Sequence, residues 1–147
     1  MIDIKVKSFK ELTISELYEL LELRSDVFVV EQDCVYQDLD GKDQKALHCL
    51  GYKHNRLVAY TRIFKPKDYF NEASIGRVVV LKSERQHKYG YDIMEASIKA
   101  VKELFNETTI KLSAQVYLKK FYNNLGFNEV GEEYLEDGIP HVAMIKN

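Results

Sequence analysis

The chain has 147 residues, 46% of them hydrophobic and 30% charged, which suits one domain with one apolar core and argues against a disordered or fibrous protein. A formal charge of -2, with no clustered basic arm or helix, excludes a general electrostatic attraction to nucleic acid. No apolar run approaches the ~20 residues a bilayer span requires, and the first residues lack the apolar core of a signal peptide, so a cytoplasmic location with no membrane partner is expected.

In chain order, Ile2, Ile4 and Val6 alternate with Asp3, Lys5 and Lys7, the period of a half-exposed strand. Thr13 and Glu16 have capping-box spacing and open a helix that carries Leu17, Leu20, Leu21, Leu23, Val27 and Phe28 inward through about Val30. Residues 31–45 lose this period and place Asp38, Asp40 and Asp43 around Gly41. An EF-hand loop needs a longer ordered ligand set ending in a distal glutamate, so a solvated or substrate-facing loop is expected rather than a metal site. Cys34 and Cys49 are too few and too far apart for a disulfide scaffold or a CxxC site and are expected as free thiols.

Residues 46–52 and 57–64 predict two strands of a hairpin turned across 53–56, and Pro66 begins a polar loop that runs to Glu72. Residues 74–81 follow as a strand in which Val78, Val79 and Val80 form an unbroken apolar run, as expected where both faces are covered. The spacing of Ile93, Met94, Ser97, Ile98, Val101, Leu104 and Phe105 predicts a helix over 89–105 with Lys99, Lys102 and Glu103 outward. Residues 108–116 read as a strand and 117–125 as a short helix closed by Gly126. A strand over 127–134, a tight turn over 136–140 and a last strand over 141–145 complete the order. It implies a single domain over 1–147 of α/β (α+β) class, a mixed, mostly antiparallel central sheet with helices on both faces.

The turn between the 74–81 strand and the 89–105 helix carries Arg85, Gln86, His87, Lys88, Tyr89 and Gly90 at a helix N-terminus. Unpaired N–H groups and the positive end of the helix dipole favour an anion there, and two cations strengthen that preference. A solvated basic turn is the plain alternative.

Val80, Arg85 and Gly90 match places in the acetyl-CoA-binding motif of the GNAT superfamily of N-acetyltransferases, a strand followed by R/Q-x-x-G-x-G/A and a helix, and the segment resembles that motif. Lys88 stands at the first glycine position, and Gln86 replaces a glycine often found after the arginine. LSAQVYLKKFYNNLGF over 112–127 resembles the superfamily's later motif, and LRSDVFVVEQ, YQDLDGKD, GRVVV and EEYLEDGIPH resemble features of its ElaA-type branch. The resemblance implies the GNAT fold and direct acetyl transfer from acetyl-CoA to a primary amine, on a small molecule or a peptide, without a covalent enzyme intermediate. Backbone N–H groups of Val78, Val79 and Val80 would bind the pantetheine arm and polarise the acetyl carbonyl. Arg85 through Gly90, with Tyr91 beside them, would hold the pyrophosphate, and Gln115 stands where many members have a cofactor-contacting asparagine. Tyr122 would be the general acid to the departing thiolate; without the family it reads as a half-buried helix tyrosine.

A primary ammonium must lose a proton before it can attack. His48 and His141 are candidate bases because imidazole titrates near neutrality, and Glu31, Glu132 and Glu136 could attract or deprotonate an ammonium group. His54 and His87 read as turn residues. Acidic residues in 31–43 and 134–137 favour a cationic acceptor. The competing class is a non-catalytic acyl-CoA-binding or sensing domain whose turn has drifted at Lys88 and Gln86. The oligomeric state stays open, a two-fold homodimer being the commonest form generally.

Overall fold

The computed structural model describes residues 2–147. Seven strands form one sheet: β1 (Asp3–Ser8), β2 (Leu47–Lys53), β3 (Arg56–Phe64), β4 (Ala73–Val80), β5 (Ile110–Gln115), β6 (Asn128–Glu136) and β7 (Ile139–Lys146), in the spatial order β1-β2-β3-β4-β5-β7-β6. Every neighbouring pair is antiparallel except β4 and β5. The β2–β3 hairpin closes through His54 and Asn55, both at positive φ, which suits a two-residue turn matched to the strand twist.

Strand alternation divides the core in two. Cys49, Ile63, Ile75, Ile110 and Leu112 face α2 (Tyr89–Phe105), which contributes Ile93, Met94, Ala100 and Val101. Leu50, Leu57, Tyr60 and Val79 face α1 (Ile14–Arg24), which contributes Leu20 and Leu23. Helices therefore cover both faces, as the element order implied. The capping box forms as its spacing predicts: Glu16 N–H donates to Thr13 Oγ1 at 3.0 Å, and Thr13 N–H donates to Glu16 Oε1 at 2.8 Å. Two details differ from expectation. The first helix continues past Arg24 in π geometry over Ser25–Glu31, widened by bonds such as Gln32 N–H to Val27 C=O at 3.1 Å. Leu104 keeps its place in the apolar stripe of α2 but is 59% exposed, because the stripe outlasts the surface beneath it.

The loop expected to be solvated or substrate-facing is instead partly core. Arg24, fully buried, donates to Asp38 at 2.9 Å and Asp43 at 2.8 Å, while Arg62 donates to both oxygens of Asp40 at 2.9 Å and to Asp43 at 3.0 Å. Arg77 Nε lies 2.9 Å from Asp38 Oδ1. Three arginines thus neutralise three aspartates. Burial works against the carboxylates of Asp40 and Asp43, but the guanidinium partners outweigh it and hold Asp40 down to about 2, with Asp43 lowered in the same way. The cations come from α1, β3 and β4, far away in sequence, so the loop read alone could not reveal the pairing.

Candidate active site

β4 and β5 pair only at Ala73↔Ile110 and Ser74↔Lys111 and then diverge. The divergence follows from a bulge: the β3–β4 register shifts between Tyr60 and Arg62, and Arg77 takes φ 48 opposite it. Beyond the bulge, Leu81 N–H donates to Val58 C=O of β3 at 2.8 Å. Strand alternation then aims the N–H groups of Val80 and Val78 at the opposite edge, where β5 has departed. A cleft of about 450 Å³ occupies the gap.

One half of the cleft is lined by Val78, Val80, Gly90, Phe121 and Tyr122. Gly90 opens α2 here, and a Cβ on it would come within 3.3 Å of the Phe121 ring, so glycine permits α2 to meet α3 (Lys119–Asn124) closely. Tyr122 is 5% exposed, edge-on to Phe121 at 5.0 Å and to Phe127 at 6.2 Å. Its hydroxyl has no hydrogen-bond partner among the described residues, and burial, with a smaller contribution from Tyr117, pushes the phenol above its ordinary value. It remains a proton donor at neutral pH.

The turn expected to hold the cofactor is a 3-10 segment over Lys82–His87 followed by Lys88 in the left-handed region, φ 60 and ψ 29. That is the conformation for which glycine is used, so Lys88 keeps the backbone geometry of the glycine it replaces. The side chains of Gln86, His87 and Lys88 are exposed and outside the cleft lining. Tyr89 turns inward, 5% exposed, with the Lys53 ammonium 5.7 Å from its ring. Tyr91 lines the cleft, packs on Phe121 at 4.7 Å and accepts from Asn124 at 3.0 Å. Arg85 donates to Val80 C=O at 3.1 Å and to both oxygens of Glu31, which the guanidinium holds below the usual carboxylate range.

Gln115, at the end of β5, faces Gln32 across the cleft, amide to amide at 3.3 Å. His141 and Glu136 line the far half, with His141 Nε2 3.4 Å from Glu136 Oε2. His48 does not reach the cleft. It is fully buried, with Tyr60 donating to Nδ1 at 2.6 Å and Nε2 donating to Asp43 C=O at 2.9 Å, and burial lowers its pKa so that it stays neutral. Glu132 is exposed on β6. Sequence reading overlooked Gln32, although it follows Glu31 directly, and Ser113, which lies two residues before Gln115 and so on the same strand face.

The chain belongs to the GNAT family: the acetyltransferase (GNAT) domain model matches residues 15–147, which supports acyl-CoA-dependent acyl transfer as its class of chemistry. It is similar to Protein ElaA of Escherichia coli, 44% identical over 138 residues that span 92% of this chain and 90% of that protein. The crystal structure of Escherichia coli ElaA superposes with a TM-score of 0.93 at 42% identity, covering 100% of both chains. An acyl-CoA N-acyltransferase from Pseudomonas aeruginosa gives 0.92 at 40% identity and 99% of both chains. Among the described residues, no helix is long and apolar enough to cross a membrane.

Proposed function

We propose that the chain is an acetyl-CoA-dependent N-acetyltransferase that passes the acetyl group directly to a primary amine, with Tyr122 as general acid. The observation that carries this reading is the unpartnered Tyr122 hydroxyl in the same cleft as the free N–H edge of β4. A domain that only bound or sensed acyl-CoA would need no proton donor there.

The free N–H groups of Val78 and Val80 suit the pantetheine amides and the acetyl carbonyl, whose oxygen gains charge as the thioester carbon is attacked. The backbone N–H groups of Tyr89 and Gly90, at the N-terminus of α2, suit the pyrophosphate, and the left-handed Lys88 supports that use of the turn. Gln115 suits a pantetheine amide by side-chain hydrogen bonding. His141 takes one proton from the ammonium, the neutral nitrogen forms the N–C bond, and the C–S bond breaks. Tyr122 gives its phenol proton to the departing sulfur, and its phenolate is restored by the second proton leaving the new amide nitrogen. The net products are the acetamide, CoA thiol and one proton released to solvent.

The test pairs calorimetry with turnover. Tyr122→Phe is expected to bind acetyl-CoA within twofold of the parent and to lose about 10²–10⁴ in kcat with an amine acceptor, the range for loss of a general acid. Unchanged kcat would remove Tyr122 from that role; CoA binding without turnover on any primary amine would favour the binding-domain reading.

A further inference from the structure

Ser113, Glu136 and His141, which line the far half of the cleft, and Tyr134 beside it form a closed ring across three strands. Ser113 Oγ on β5 contacts the Tyr134 hydroxyl on β6 and lies 3.4 Å from Glu136 Oε1; Glu136 Oε2 lies 3.4 Å from His141 Nε2 on β7; and the Tyr134 and His141 rings stack with centroids 6.2 Å apart. The sheet makes this possible. β7 lies between β5 and β6, and the residue it places opposite Ser113 is Ala143, small enough for the Tyr134 ring to pass over. A bulge in β6 between Val130 and Tyr134 brings Tyr134 opposite His141.

The protons in this ring can be assigned from its partners. His141 Nδ1 lies 2.7 Å from Ile139 C=O, and a carbonyl only accepts, so Nδ1 carries a hydrogen, and in the uncharged form of the ring Nε2 presents a lone pair. That lone pair faces Glu136 Oε2, another acceptor. The other oxygen of Glu136 is served by the Ser113 hydroxyl, which can in turn accept from Tyr134. In that form two acceptors face each other with no hydrogen between them, Nε2 on a side chain 6% exposed and Oε2 on the half-exposed Glu136. The other charges near this half do not fill the gap. Arg62 and Arg77 are ion-paired with Asp38, Asp40 and Asp43, each keeping one buried Nε without a hydrogen-bond partner, and the Asp137 carbonyl is taken by Cys34 Sγ at 3.5 Å.

We infer that Glu136 Oε2 and His141 Nε2 form a hydrogen-bonding seat for a primary ammonium group, with Ser113 and Tyr134 as positioning residues that fix the Glu136 carboxylate. This rests on the N-acetyltransferase reading and specifies its acceptor: an unhindered primary ammonium, which supplies one N–H to each acceptor and leaves its nitrogen on the cleft side. Quaternary ammonium ions, with the same charge and no N–H, are rejected. The His141 nitrogen is shielded from solvent while Glu136 is half open to it, so a ligand that supplies no N–H leaves the shielded nitrogen unpaired.

The experiment measures calorimetric binding of benzylamine, N,N,N-trimethylbenzylammonium and benzyl alcohol to the CoA-saturated protein. Benzylamine is expected to bind at least tenfold more tightly than either of the others and to shift the imidazole resonances of His141 but not those of His48. Ser113→Ala and Tyr134→Phe, checked for folding by retained CoA affinity, are expected to shrink the ratio of benzylamine to quaternary affinity at least threefold; a merely structural role would weaken both ligands alike. Equal binding of benzylamine and its quaternary analogue, or an unchanged ratio in both variants, overturns the inference. Intact CoA binding with no amine discrimination defeats the seat alone, whereas absent CoA binding defeats the acetyltransferase reading.

Discussion

Arg85 grips both carboxylate oxygens of Glu31, at 2.6 and 2.8 Å, while its Nε–H caps the Val80 carbonyl at 3.1 Å, so one side chain ties the end of the π-helical segment to the end of β4. Glu31 was expected to meet the acceptor and Arg85 the pyrophosphate; in the structure they meet each other. An incoming phosphate must compete with the Glu31 carboxylate for this guanidinium. Glu31→Gln is therefore expected to tighten CoA binding about three- to tenfold in calorimetry at low salt. Because the pair is partly exposed, the difference should shrink toward none in 0.5 M salt. Weaker binding by Glu31→Gln would show that the carboxylate helps to hold the ligand instead.

Lys88 at φ 60 carries a strain that glycine lacks. Lys88→Gly is expected to stabilise the protein by about 0.5–1 kcal/mol, net of the extra freedom glycine gains in the unfolded chain, and to raise Tm by about 2 °C in calorimetry. CoA affinity should fall no more than about threefold, because the left-handed backbone of the turn stays and only an exposed cation is lost. A lower Tm would mean that the lysine side chain contributes a contact larger than the backbone relief.

Asp43 accepts from both Arg24 and Arg62, so its removal leaves two buried guanidinium groups short of a partner. Asp43→Ala is expected to cost about 3–5 kcal/mol in urea unfolding. A cost below about 1 kcal/mol would mean that water or Asp38 and Asp40 take over its role.

Stability should fall with acid in two stages. His48 is held neutral by burial, its pKa lying below the unfolded value, so its contribution is complete above pH ~6.5 and declines as the pH falls below that. Asp40, lowered to about 2, contributes above pH ~4 and loses that contribution as the pH drops toward 2, worth about 1–2 kcal/mol after allowing for partial exposure; Asp43 acts in the same direction. Tm measured from pH 8 to 3 should be flat above 6.5, decline gently to about 4 and then steeply. Asp40→Asn should lower stability at pH 7 and flatten the steep stage. A Tm that rises on acidification from 6.5 to 5 would contradict the neutral, buried His48.

The sequence by itself determined whatever depends on neighbours along the chain. The capping box at Thr13 and Glu16, the alternation of β1, the valine run of β4 and the stripe of α2 are local patterns with one structural solution, and with the family motifs they led to the fold. The tertiary structure decided what depends on partners remote in sequence. Asp38, Asp40 and Asp43 look like a solvated acidic loop until Arg24, Arg62 and Arg77 arrive from three other elements to neutralise them. His48 and His141 are both strand histidines, yet β2 buries one among satisfied partners while β7 places the other against Glu136 in the cleft. The ring of Ser113, Tyr134, Glu136 and His141 exists only because three strands align in one register and Ala143 leaves room between them. Chain proximity fixes backbone period and caps; burial, pairing and proton position are set by contacts across the sheet, which no single stretch of sequence contains.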